Sequence, residues 1–243
     1  MRSIVAMFLL MCSVAQAAPA VEDGTVLRPR FKTEQGTFNA GTAFAVELNG
    51  KVLVVTALHL FGPAGGLEKQ IEGDKVPAFT KSISLRDAFT NGDFGTAHKG
   101  LPLADTHPMG DDAAGDIAAF EAKILTGLDK LDSKAKDLAP IKLAEAAPKK
   151  GDAVFVAAQF AADKETRTHE AKVVEVNDKW LFFEYAKGEL DIAGTNGAPV
   201  LNEKGEVVGI NLGGGKMKDG KLVGSANPLS AVKKRLTEAV PAE

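Results

Sequence analysis

Cysteine is all but missing: Cys12 is the only one in 243 residues. No disulfide can form within the chain, so core burial must carry its stability. No basic run of the kind that follows a phosphate backbone occurs. The formal net charge of −3 is too small to argue for an acidic substrate or for nucleic acid. Gly-rich phosphate loops, dinucleotide fingerprints and basic aromatic platforms are absent as well, so no cofactor is expected. Internal repeats and low-complexity tracts are lacking.

What is present is a soluble globular composition, 45% apolar and 25% charged. The length suits one large all-β domain or two small ones. Residues 1–17, MRSIVAMFLLMCSVAQA, combine Arg2, a short apolar core and the small-residue site Ala15-Gln16-Ala17. That layout predicts a secretory signal peptide cleaved after Ala17, and the apolar run is too short to cross a membrane. A lipoprotein anchor on Cys12 is the competing reading, disfavoured by bulky Met11 just before it; a retained anchor helix is another. The mature chain is expected to be periplasmic or secreted and free of the membrane, and its roughly 225 residues suffice for a core without disulfides.

Residues 18–35 read as an extended, polar lead-in. From Gly36 the pattern turns to strands: TAFAVEL (42–48), the turn Asn49-Gly50 and KVLVVTAL (51–58) form a hairpin signal, since both central residues of such a turn need positive φ. Residues 62–80 read as loop, 82–86 as a short strand, and 90–115 as a long Gly- and Asp-rich loop ending at DIAAFEA (116–122). Residues 123–138 suit a short helix or a connection. Strands follow at 151–159, 168–176 and 179–185. A hairpin spans 198–202 and 206–212, and a last strand covers 221–226. Asn227 then caps a helix with Pro228 at its first position. Leu229, Val232, Leu236 and Val240 repeat at helical spacing on one face. About ten strands closed by one helix predict two small barrels or one sandwich.

Three stretches carry a resemblance to a known family. GTAFAVELNGKVLVVTALHLF (41–61) is similar to the Gly-Thr-x-Phe hairpin and Thr-Ala-x-His of trypsin-like serine proteases. GDIAAFEA (115–122) resembles the strand that the family's aspartate opens. Gly194-Thr195-Asn196-Gly197-Ala198-Pro199 falls on its Gly-x-Ser-Gly-[Gly/Ala]-Pro. Taken singly, each has an ordinary explanation in a surface histidine, a turn-capping aspartate and a Gly-rich turn. The order His59, Asp116, position 196 is that of the chymotrypsin type. The resemblance covers nearly all of residues 36–236 and is closest to bacterial periplasmic relatives. It implies an all-β fold of two six-stranded β-barrels with a short C-terminal helix: an N-terminal barrel over 36–125, a connecting segment over 126–147, and a C-terminal barrel with the helix over 148–243.

The resemblance further implies His59 as general base and Asp116 as its orienting carboxylate. Gly194 and Asn196 would supply the oxyanion-hole N–H groups. The strand Ile210, Asn211, Leu212, Gly213 would take a substrate backbone, and Leu190 would lie near the floor of the primary pocket. The departure is Asn196, which stands where the family has its nucleophilic serine. An amide nitrogen is delocalised and is no acyl-transfer nucleophile at neutral pH. Two readings follow. One is a pseudoprotease that binds a peptide or protein in the inter-barrel cleft; the other is a working hydrolase using Thr195 or Ser225. Asp105, His107, Asp111 and Asp112 match no metal-ligand spacing, so no metal is expected. Trp180, Phe182, Phe183 and Tyr185 suit a strand that packs a core. Oligomeric state is not written in the sequence.

Overall fold

The computed structural model describes residues 17–103, 113–122 and 136–242. The signal-peptide reading of residues 1–16, the cluster Asp105, His107, Asp111 and Asp112, and most of the 123–138 segment lie outside them. Among the described residues no helix is long and apolar enough to cross a membrane.

The first barrel is built from β1 (Val26–Thr33), β3 (Ala43–Leu48), β4 (Lys51–Thr56), β5 (Thr80–Asp87), β6 (Asp93–Gly100) and β7 (Ala118–Ala122), with β2 (Gly36–Asn39) hairpinned onto β1. Sheet order is β2-β1-β3-β4-β7-β6-β5, and β1 also pairs with β5, which closes a six-stranded ring. The Asn49-Gly50 turn has φ of 50° and 74°, the left-handed pair that its hairpin demands. Phe31, Phe61 and Phe120 meet inside and half-buried Phe38 packs against them, with ring centroids 4.7–6.0 Å apart; Phe31 and Phe38 stack, and the other pairs are tilted or edge-on.

The second barrel closes in the order β10-β13-β12-β11-β8-β9. Its strands are β8 (Ala153–Ala157), β9 (Thr168–Val176), β10 (Leu181–Tyr185), β11 (Pro199–Leu201), β12 (Val207–Lys216) and β13 (Leu222–Ala226). The implied pair of six-stranded barrels with a short C-terminal helix is therefore the observed fold. The terminal helix spans Leu229–Ala239, and Leu229, Val232, Leu236 and Val240 are all buried, as their spacing predicts. The barrels share a core. Phe44, Leu53 and Ile117 of the first pack with Phe155 and Ile210 of the second and with Val232 of the helix. In the connecting segment, Ile141 bridges to Val46 and Leu143 to Val207, so it is bonded to both barrels.

Two segments depart from the sequence reading. Residues 18–35 are not merely a lead-in, because β1 lies within them. Leu27, Pro29, Phe31 and Thr33 point inward while Arg28, Arg30 and Lys32 are exposed, a period of two disguised by the proline. Residues 90–115 are not one loop either, since β6 runs through them, paired with β5 and β7. Pairing overrode its weak local propensity.

Candidate active site

His59 and Asp116 come from the first barrel. β4 ends at Thr56, and His59 sits in a tight 3-10 turn, Leu58–Phe61, whose four residues are all buried. Asp116 precedes β7 and is fully buried. One carboxylate oxygen accepts the His59 backbone N–H at 2.8 Å, and the other lies 2.7 Å from His59 Nδ1. A carboxylate so held fixes the ring's orientation and places the imidazole proton on Nδ1. Nε2 is then an acceptor, turned to the second barrel.

The second barrel supplies the bend before β11. Gly194 and Gly197 have φ of 78° and 88°, which glycine adopts without cost. A Cβ on Gly197 would stand 2.0 Å from the Thr42 carbonyl oxygen, so only glycine fits that position. Asn196 projects toward the histidine, and its Nδ2 is 2.8 Å from His59 Nε2. With Nδ1 protonated toward Asp116, the Asn196 amide is the donor of that bond and Nε2 the acceptor. The amide oxygen faces β12, where a Cβ on Gly213 would come within 3.1 Å of it. Among the described residues, neither the Gly194 nor the Asn196 backbone N–H donates to a protein acceptor. They are the two donors the resemblance implies for an oxyanion.

The first barrel also clamps the bend. The Thr42 N–H donates to the Asn196 carbonyl at 2.8 Å, and the Thr42 hydroxyl donates to the Gly194 carbonyl at 2.9 Å. The Thr56 hydroxyl in turn holds the Thr42 carbonyl at 2.7 Å. Neither threonine was singled out from the sequence, although the Gly-Thr pair opening the first hairpin is the available signal. Asn227 was misread. It does not cap the terminal helix, whose N-cap is Pro228 with no side-chain bond. Its amide instead donates to the carbonyls of Ala113 and Asp116, tying the aspartate's segment to the second barrel.

The residues expected to bind substrate divide. Ile210 and Asn211 are fully buried. The Asn211 N–H and carbonyl are taken by Ala198 and Gly197, and the Ile210 carbonyl accepts from Asn227. β11 ends its pairing at Pro199, opposite Ile210, so that edge of β12 is occupied up to Asn211. Leu212 packs into the first-barrel core. Gly213, beside the Asn196 side chain, is the member of the set left on the open edge. Leu190 lines a separate hollow of 220 Å³ with Thr168, His169 and Lys187 rather than the wall of the bend.

The two alternative hydroxyls are also located. Thr195 is fully buried; its Oγ1 donates to the Ile192 carbonyl at 2.7 Å and accepts from Asn211 Nδ2 at 3.0 Å. Ser225 lies on β13, paired with Gly213 and Phe182, and among the described residues makes no hydrogen bond to His59. Among the described residues no group of acidic, histidine or cysteine side chains could hold a metal.

A model of the trypsin-like peptidase domain matches residues 41–210, more than half of the chain and the whole span from the Thr42 clamp to β12. The chain belongs to the trypsin-like peptidase domain family. Solved structures of serine proteases share the fold of this trypsin-like chain. The Rv3671c protease from M. tuberculosis in its active form aligns at a TM-score of 0.54 and 14% identity, over 99% of this chain and 96% of that one. The thermostable protease AL20 from an extremophilic microorganism aligns at 0.55 and 16%, over 90% and 98%. A serine endoprotease from Yersinia pestis aligns at 0.55 and 15%, covering 90% of this chain and 63% of its own. No curated protein matches the sequence.

Proposed function

We propose that this trypsin-like chain is an exported pseudoprotease, binding a peptide or protein segment in the cleft between its barrels without cleaving it. The observation that carries the reading is the 2.8 Å contact between Asn196 Nδ2 and His59 Nε2. An acyl transfer needs an oxygen whose proton passes to that nitrogen as it attacks a carbonyl. Here the nitrogen is capped by an amide that cannot give up its proton at neutral pH, and losing the nucleophile of such a triad costs on the order of a millionfold in turnover. The oxyanion donors and the open edge at Gly213 support retained binding, because an extended peptide adds to a free strand edge through its backbone.

The displaced-nucleophile reading is weakened by the Thr195 hydroxyl, already committed to Ile192 and Asn211. Export rests on the Arg2, apolar core and Ala15-Gln16-Ala17 pattern. A mass measurement on material from the periplasm or medium should give a chain beginning at Ala18.

The decisive experiment is labelling with a fluorophosphonate. The natural protein is expected to stay unlabelled, and Asn196→Ser to label with His59-dependent kinetics. Labelling of the natural protein that disappears in Thr195→Ala or Ser225→Ala would overturn the proposal.

A further inference from the structure

The first barrel presents an arginine-lined groove to the Gly194 bend. Arg28 and Arg30 alternate with inward-facing residues on β1 and emerge on its outer face. Across the β1–β5 pairing, Arg28 stands directly opposite Arg86 and Arg30 opposite Ser84. Like charges directly opposite one another weaken a sheet. Among the described residues, no carboxylate comes within salt-bridge distance of any of the three guanidinium groups. Asp93, the pairing partner of Arg86 on β6, lines the same hollow, and its Oδ1 accepts the Gly95 N–H.

Arg28 is partly engaged. Its Nη2 donates to Gln159 Oε1 of the second barrel at 2.9 Å and its Nε to the Ala88 carbonyl at 3.5 Å. Arg30 and Arg86 donate to no group among the described residues. Between these side chains, the stretch Asn39–Gly41 and Gly194 lies a hollow of 580 Å³. Gly194 is the residue whose free N–H was assigned to the oxyanion hole, so hollow and cleft share a wall. Among the described residues lining the hollow, three arginines face one aspartate, Asp93, which leaves a local excess of cations in a chain of net charge −3.

We infer that this groove recognises an acidic side chain, Asp or Glu, on the peptide bound in the cleft. The inference rests on the peptide-binding reading above and adds the class of peptide. A guanidinium is a planar fork that matches a carboxylate bidentately, and such charge-assisted bonds are about twice as strong as neutral ones. A carboxylate entering the hollow also relieves the repulsion between Arg28 and Arg86, so binding removes a strain that the free protein carries.

The test uses the full mature protein and two labelled, unstructured peptides, one with a Glu-Glu pair among alanine and valine and its Gln-Gln counterpart. Fluorescence anisotropy at low salt should give the Glu peptide at least about a tenfold tighter Kd, a ratio that shrinks as salt screens the charges. In Arg30→Gln/Arg86→Gln the ratio should fall to near one. It should persist in Lys81→Gln, a β5 cation paired with Glu34 away from the groove.

Equal affinities for the two peptides overturn the acidic preference while leaving peptide binding intact. A ratio that survives the double arginine variant overturns the assignment to this groove. A sulfated oligosaccharide that binds more tightly than the Glu peptide, and is lost in the same variant, overturns it in favour of a sugar polyanion. Failure of both peptides to bind up to millimolar concentration overturns the preference and the peptide-binding reading together.

Discussion

The two halves of the site are built on different terms. The first-barrel half, His59 and Asp116, is a hydrogen-bonded pair with the geometry a general base needs: carboxylate to Nδ1, and Nε2 presented to the neighbouring barrel. The second-barrel half is an amide and carbonyl network, in which Asn211 braces Thr195 and Asn196 reaches the ring, with Thr42 of the first barrel clamping the bend at two points. One half is equipped for proton transfer. The other offers it no proton to take. On the reading proposed above, chemistry is lost at one side chain while the scaffold that aims that side chain stays whole.

The largest expected effect tests whether the first half is functional or only well placed. In the Asn196→Ser background, Asp116→Asn should reduce fluorophosphonate labelling about 10⁴-fold, because an amide at 116 donates to Nδ1 and forces the proton onto Nε2, facing the nucleophile. Equal labelling rates with and without the carboxylate would mean that the serine reacts without the pair, and the contrast between the halves would collapse.

Stability of the bend comes next. Gly197→Ala puts a Cβ 2.0 Å from the Thr42 carbonyl at a φ of 88°, which should cost about 3 kcal/mol in urea unfolding. A variant within a few tenths of the natural protein would show that the bend slides freely against the first barrel. Thr195→Val should cost less, about 2 kcal/mol, by stripping the Ile192 carbonyl of one of its two donors and Asn211 Nδ2 of one of its acceptors. It should leave the labelling of Asn196→Ser in place. Loss of labelling with unchanged stability would turn Thr195 from a brace into a reacting group.

Legibility divided along the same line. His59, Asp116 and the 194–197 bend were readable because each sits in a short local motif whose spacing survives without a structure. His169 shows why the motif was needed. It is equally buried and stacks on Phe160 with centroids 3.7 Å apart, yet its Nε2 meets the Ala158 carbonyl and not a residue of a catalytic motif. What could not be read were partners far apart in sequence. Asn227 looked like a helix cap because a Pro follows it, but its donors go more than a hundred residues back. β1 and β6 were hidden by Pro29 and by glycines, which depress propensity without preventing strand pairing. The occupied edge of β12 was invisible too, because only the register with β11 shows that Ile210 and Asn211 are already bonded.

The mildest prediction separates a carboxylate held for structure from one held for a histidine, and it is read from a slope. Asp87 in the first barrel is as buried as Asp116 but faces no base. Its oxygens accept the N–H groups of Gly24, Phe89 and Thr90 and the Thr90 hydroxyl. Burial alone would push its carboxyl up, but those donors outweigh it and hold the group below the ordinary carboxylate value. A group depressed on folding stabilises fully above its unfolded value, near pH 4, and loses that contribution as pH falls through the folded one. Asp87→Asn, which must set an amide N–H against the Gly24 N–H, should therefore be less stable at neutral pH. The gap to the natural protein should close on acidification below pH 4. A gap that stays constant down to pH 2 would mean that Asp87 gains nothing from its charge, and that its donors merely fill space around it.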